Sequence, residues 1–269
     1  MTGLNHIPDN IQRGFPILPT PGSPVQFKLL NKWIERCDSS HKCRPDITSM
    51  PLRLVDVGIQ TSCGGVADTD ALRLDCNAIR KETKYAALTH RWGEPELHGK
   101  FCLSNENLHE WQEHLDLKTL PRTFRDAVKV ARGLGIRYLW IDTLCIVQDD
   151  KADLQSQIRK MEDVFTGAYV TLSATCATGT TDGFFKKRDN SRHHYPLHVA
   201  NQSGSLGQFY LCDPIDDFKH DVEQSALSRR GWIFQERALS RRIIHFTAKQ
   251  VYWECGTGIR CESLAKMYK

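Results

Sequence analysis

The chain has 269 residues, of which 40% are hydrophobic, 9% aromatic and 25% charged, so it can bury one substantial core and is neither a disordered nor a fibrous polymer. Its 36 Lys and Arg against 32 Asp and Glu leave a net charge of +4, too small and too evenly spread to select a nucleic acid or a membrane surface as partner. No basic leader followed by an apolar run opens the sequence, and no stretch is apolar enough to span a bilayer, so a cytoplasmic protein with reduced thiols is expected from its ten cysteines.

The first 25 residues carry five prolines and read as an extended lead. Phe27, Leu29, Leu30, Trp33 and Ile34 predict a short amphipathic helix, and residues 50–57 a short strand. Gly, Ser and Thr crowd residues 60–70, which read as a loop. Tyr85–His90 is a short, turn-bounded apolar strand. Phe124, Ala127, Val128, Ala131 and Leu134 then recur at helical spacing behind Pro121 and ahead of Gly135. Tyr138–Val147 is rich in aromatic and β-branched residues, is broken by Asp142, and reads as a central strand ending near that acid. One helix follows, with Asp149 or Asp150 as its cap and Leu154, Ile158, Met161, Val164 and Phe165 as its apolar stripe, and Tyr169–Ala174 is the next strand.

Alternating strands and helices of these lengths predict an α/β fold with a mainly parallel sheet flanked by helices. In such sheets ligands sit beyond the carboxyl ends of the strands, which directs attention to residues 142–148 and to the loop after Ala174. Residues 186–229 are polar and yield one strand around Gln208–Leu211. Residues 242–246 and 250–255 predict a C-terminal β-hairpin extension.

Each chemically interesting residue has a plainer reading beside its functional one. Cys37, His41 and Cys43 lie within seven residues, but a zinc site would need Cys63 or Cys76 as a fourth ligand at a spacing unlike a paired-cysteine knuckle, and no metal is expected. Cys145 is a nucleophile if a histidine such as His90 reaches it, and a packed thiol otherwise. Asp142, at a strand end, either caps the next turn or contacts a ligand, and Gln148 faces the same choice. Trp92 with Gly93 either packs the core or offers a stacking face. Glu236 lies among Arg229, Arg230, Arg237, Arg241 and Arg242. It pairs with them, or acts as a general base or as an acid that stabilises an oxocarbenium-like centre. The absence of GxxxxGK, GxGxxG, HExxH and GxSxG motifs removes support for nucleotide kinases, dehydrogenases, zinc proteases and serine hydrolases.

Three long blocks, YAALTHRWG at 85–93, LPRTFRDAVKVARGLGIRYLWIDTLCIVQDD at 120–150 continuing into MEDVFTGAYVTLSA at 161–174, and RGWIFQERALSRRIIHF at 230–246, resemble the fungal heterokaryon incompatibility (HET) domain. The lead WIERCDSSHKC followed by LRLVDV looks like the segment that commonly precedes that domain. The resemblance divides the chain into a lead over 1–45, a HET domain over 46–255 and a tail over 256–269. It implies a fungal protein that promotes vegetative incompatibility and programmed cell death through self-assembly or protein partners, on a core distantly similar to Toll/interleukin-1 receptor (TIR) domains and of flavodoxin-like order. Some TIR domains hydrolyse NAD at its nicotinamide glycosidic bond with a glutamate. Carried onto this chain, that activity makes NAD a substrate rather than a required cofactor. Glu236 and Asp142 would then be catalytic, with His90, Trp92 and Gln148 holding the nucleotide. A third reading is a family member in a metabolite pathway that binds and cyclises a substrate. The chain departs from the family pattern at Leu154 and Gln157, where members often carry tryptophan and glutamate.

Overall fold

The computed structural model describes residues 17–41, 43, 49–58, 70–76, 83–94, 101–188, 195–200, 206–211, 217–229 and 231–263. Apolar periodicity predicts a helix in the lead, and helix α1 covers Pro24–Ser40, with Ser23 as its N-cap and Pro24 in its first turn. Strands β1 (Leu54–Asp56), β2 (Ala71–Asp75) and β3 (Tyr85–Thr89) follow. All five residues of β3 are buried, as expected of a strand covered on both faces. A short helix, α2 (Leu108–Glu113), and a two-residue strand, β4 (Leu115–Asp116), lead into helix α3 (Arg122–Gly133).

Helix α3 buries Phe124, Ala127, Val128 and Ala131, the stripe read from the sequence. It ends because Gly135 adopts φ +70°. Ile136 N–H then reaches back to the Ala131 carbonyl and Gly135 N–H to that of Arg132, which satisfies carbonyls the helix would leave open.

Strand β5 (Tyr138–Trp140) ends just before Asp142, close to the acid at which the sequence placed its end, and Asp142–Cys145 forms a helical turn, α4. The Ile141 carbonyl accepts from Leu144 and Cys145 N–H, and the Asp142 carboxylate from Thr143 N–H, so local capping bonds replace the ladder. The single helix expected next is divided at Lys160 into α5 (Lys151–Arg159), capped by Asp150, and α6 (Met161–Gly167). Strand β6 (Val170–Ser173), the separate hairpin β7 (Tyr195–Ala200) and β8 (Leu206–Leu211), a short π-helical segment (Lys219–Glu223) and helix α7 (Gly231–Leu239) precede the last strands. These are β9 (Arg242–Phe246), β10 (Val251–Cys255) and β11 (Gly258–Cys261).

The main sheet is nine-stranded and mixed, in the order β11-β10-β9-β6-β3-β5-β1-β2-β4. The fold is α/β as expected, but only the central run β5-β3-β6-β9 is parallel. The margins are antiparallel. Strands β9–β10–β11 and β1–β2 join neighbours in sequence, but β1 also pairs with β5 and β2 with β4 across long separations, which periodicity alone does not reveal. The predicted hairpin is β9–β10, and its first strand is part of the parallel core. Residues 258–261, read as tail, form the edge strand β11. The loop expected over 60–70 lies almost wholly outside the described residues.

Taken in chain order, the four parallel strands stand 2-1-3-4, the beginning of a flavodoxin-like order. Right-handed crossovers that leave β3 and β5 in opposite directions place α3 on one face and α6 with α7 on the other. The described helices fit this, since α1 contacts α3 and α6 contacts α7.

One buried carboxylate ties the periphery to the sheet. Glu262 accepts from Arg188 Nη1 and Nη2 at 2.7 and 2.8 Å, from Gln26 Nε2 at 3.1 Å and from Val251 N–H at 3.0 Å. The side chains of Arg188 and Glu262 are 5% and 0% exposed. Glu262→Ala would leave a buried guanidinium unpaired, so urea denaturation should show a loss of about 3–5 kcal/mol.

Candidate functional site at the carboxyl edge

Strands β3 and β6 are neighbours whose following segments leave toward opposite faces of the sheet, which opens a crevice beyond their carboxyl ends. The segment after β3 supplies Arg91, Trp92, Gly93 and Glu94, and the segment after β6 supplies Thr178, Gly179, Thr180 and Thr181. Together they line a cleft of about 480 Å³. Its two walls meet through glycine. Gly93 has φ +82°, and a Cβ there would lie 2.9 Å from Gly179 Cα, a separation that side chains do not tolerate. Thr123, buried at the start of α3, fixes the second wall by donating through Oγ1 to the Gly179 carbonyl at 2.8 Å and accepting from Gly183 N–H at 3.1 Å.

Four of the five residues proposed from the sequence come together here. Trp92 Nε1 donates to Asp142 Oδ2 at 2.7 Å, and His90 Nδ1 lies 3.9 Å from Asp142 Oδ1. The His90 ring is buried edge-on against Phe124, with centroids 5.1 Å apart. Gln148 Nε2 donates to the carbonyls of Asp142 at 3.3 Å and Ile146 at 3.0 Å. Of these four, only Trp92 lines the cleft. Asp142 holds the Trp92 indole from behind, His90 backs it, and Gln148 braces the α4 turn that carries Asp142. The cleft itself presents an aromatic face, hydroxyls, one guanidinium and one carboxylate, a set suited to a planar ring bearing polar and anionic substituents.

Glu236 is placed elsewhere. It sits on α7 and lines a separate groove with Ile158, Arg159, Met161, Glu162 and Phe165, none of which belongs to the carboxyl-edge cluster. Two arginines expected around it have other partners. Arg242 donates to Asp38 at 2.7 Å, and Arg237 makes two bonds of 2.9 Å to Glu254. Cys145 is fully buried, and burial pushes its thiol up to about 12, so it packs as an inert thiol rather than serving as a nucleophile.

Sequence reasoning located the loop after β6 but none of its cleft residues, because threonine and glycine carry no chemical signature until a neighbouring strand is specified. Thr123 was hidden for the same reason. Its signal is a hydroxyl in the first turn of a helix, which usually means a cap.

A family model described as "Heterokaryon incompatibility protein (HET)" matches residues 85–236, from the start of β3 into α7. The chain belongs to this family. The matched HET segment contains both walls of the cleft as well as Asp142 and Gln148, and leaves α1, β1, β2 and β9–β11 outside. No curated protein and no solved structure matches the chain significantly.

The α7 end of the HET segment is anchored by charge. Burial favours a neutral Glu254, but hydrogen bonds from His245 and Arg237 outweigh it and hold the carboxyl at about 2, below its usual 4.5. Burial lowers His245 as well. A carboxylate depressed in the folded state stabilises above its unfolded value and loses that contribution as pH falls, and a buried neutral histidine adds an acid penalty of the same sign. Urea midpoints should therefore fall steadily from about pH 6.5 toward pH 2, and Glu254→Gln should flatten the part below about pH 4.5.

Proposed function

We propose that the protein promotes vegetative incompatibility and programmed cell death, and that it binds a nucleotide of the NAD type in the carboxyl-edge cleft. The observation that carries this reading is the position of the cleft at the β3/β6 switch point, where this sheet order places ligands, with Trp92 at its wall and its indole held by Asp142. A planar base stacks on Trp92, the exposed threonines at 178 and 181 meet ribose hydroxyls, and Arg91 meets the diphosphate. The carboxylate available at the cleft is Glu94. Any cleavage of the nicotinamide glycosidic bond would use that acid rather than Glu236, by stabilising positive charge developing on the ribose.

A second reading, self-assembly, is favoured by the outer face of α7. Phe234 is 73% exposed and Ile158 beside it 47%. Both line the groove that holds Glu236. An apolar centre rimmed by Arg159, Glu162 and Glu236 carries both signs of charge, which suits pairing with a second copy of the same chain.

Titration calorimetry with NAD, together with an assay for released nicotinamide, tests the first reading. Saturable binding is expected. Loss of one stacking contact in Trp92→Ala should weaken it about 5- to 100-fold, and Glu236→Gln should leave it unchanged. Absence of binding, or equal binding by Trp92→Ala, contradicts the cleft assignment. Light scattering of Phe234→Glu tests the second: the parent should show dimers or larger species that the variant lacks.

A further inference from the structure

The C-terminal end of α1 and Cys43 lie against the end of β10, and together they collect four metal-binding side chains. Cys37 lies in the last turns of α1, His41 is its C-terminal cap, Cys43 follows two residues later and Cys255 closes β10. Their donor atoms all lie within 4.8 Å of one another, with Cys255 Sγ 3.7 Å from His41 Nδ1. We infer that Cys37, His41, Cys43 and Cys255 form a structural zinc site.

The geometry is close to what the ion requires. Zinc bonds of about 2.3 Å to sulfur and 2.0–2.1 Å to imidazole nitrogen, arranged tetrahedrally, separate the donors by about 3.5–3.8 Å. Small side-chain rotations close the remaining gap. Three thiols and one imidazole are the donor set that prefers zinc over hard cations. Cys37 and Cys43 are buried and the other two are half-buried, so all four positions are filled by protein, the closed arrangement of a structural rather than a catalytic site. On binding, the three thiols lose their protons to solvent, leaving the zinc and its ligands with a net charge of −1. Arg242 is positioned to offset that charge: it is buried, and its Nε donates to the Cys43 carbonyl at 3.1 Å. Gly256 leaves room beside the sulfur, since a Cβ there would stand 3.3 Å from Cys43 Sγ.

The fourth ligand could not be chosen from the sequence because Cys255 lies more than two hundred positions from the other three. Cys76 accepts instead from Gln112 Nε2 at 3.2 Å and is outside the cluster, and Cys63 lies outside the described residues. The expectation that the chain holds no metal is replaced by a specific assignment. Its consequence is a staple between α1 and the C-terminal strands, two regions that both lie outside the matched HET segment.

The test uses the full chain, expressed with added zinc and purified under reducing conditions, with bound metal counted by plasma mass spectrometry. About one zinc per chain is expected. Cys43→Ser and Cys255→Ser should each lower the content at least about tenfold, and Cys76→Ser should retain it. Because a variant lacking the staple can fail to fold, the unmodified chain is also stripped with a chelator and given Co²⁺. A tetrahedral, thiolate-rich site gives intense visible bands with sulfur-to-metal charge transfer. A metal-free protein that takes up no Co²⁺, a weak six-coordinate spectrum, full zinc retention by Cys255→Ser, or a Cys37–Cys43 disulfide in the purified chain would each overturn the assignment.

Discussion

Everything at the carboxyl edge depends on β3 running parallel to both neighbours while buried over its whole length. A strand covered on both faces has no freedom to slip, since a one-residue shift would turn its side chains to the wrong layer. The pairing of Ala87 with Trp140 on one side and Thr171 on the other therefore fixes where the chain emerges after Thr89. It emerges next to the α4 turn and the loop after β6. The hydrogen bond between Trp92 and Asp142 follows from that register, as does the close approach of Gly93 to Gly179.

The polar groups around this core bind chain segments far apart in sequence. Glu262 gathers Arg188, Gln26 and the β10 backbone, while Arg242 reaches Asp38 and the Cys43 carbonyl. Arg53 does similar work beneath α4, donating to the Cys145 carbonyl and to both oxygens of Asp153. In each case a long cation satisfies a carboxylate and a backbone carbonyl together, which offsets the desolvation that burial imposes on both. Two of the arginines that surround Glu236 in the sequence are held by Glu254 and Asp38.

Much of the architecture was legible in advance, and the reason differs by element. Helix α3 and strands β3, β6 and β9 announce themselves through apolar periodicity and flanking glycine or proline, signals that are local. The end of β5 was legible from Asp142, but the helical turn after it was not, because Leu144, Cys145, Ile146 and Val147 are as apolar in a buried turn as in a strand. The β9–β10 hairpin and a strand over β1 were legible too, but the antiparallel pairing of β1 with β5 and of β2 with β4 was not, since such short strands carry no signal of their partners. At the site, Trp92 and Asp142 stood out because a large aromatic and a carboxylate are costly to place without a partner. Thr123 and Gly179 did not stand out, because their roles exist only once two loops meet. Cys255 belongs to the same class: its significance lies entirely in which helix end packs against β10.

The organising contact can be observed directly in the indole region of a ¹H–¹⁵N correlation spectrum, with the Trp92 signal identified by its loss in Trp92→Phe. In Asp142→Ala that signal alone among the indoles should move substantially upfield and exchange faster with water, because its N–H no longer donates to a carboxylate. A Trp92 indole signal that stays in place when Asp142 is removed would mean that the two segments do not meet, and that the carboxyl edge is not built as described.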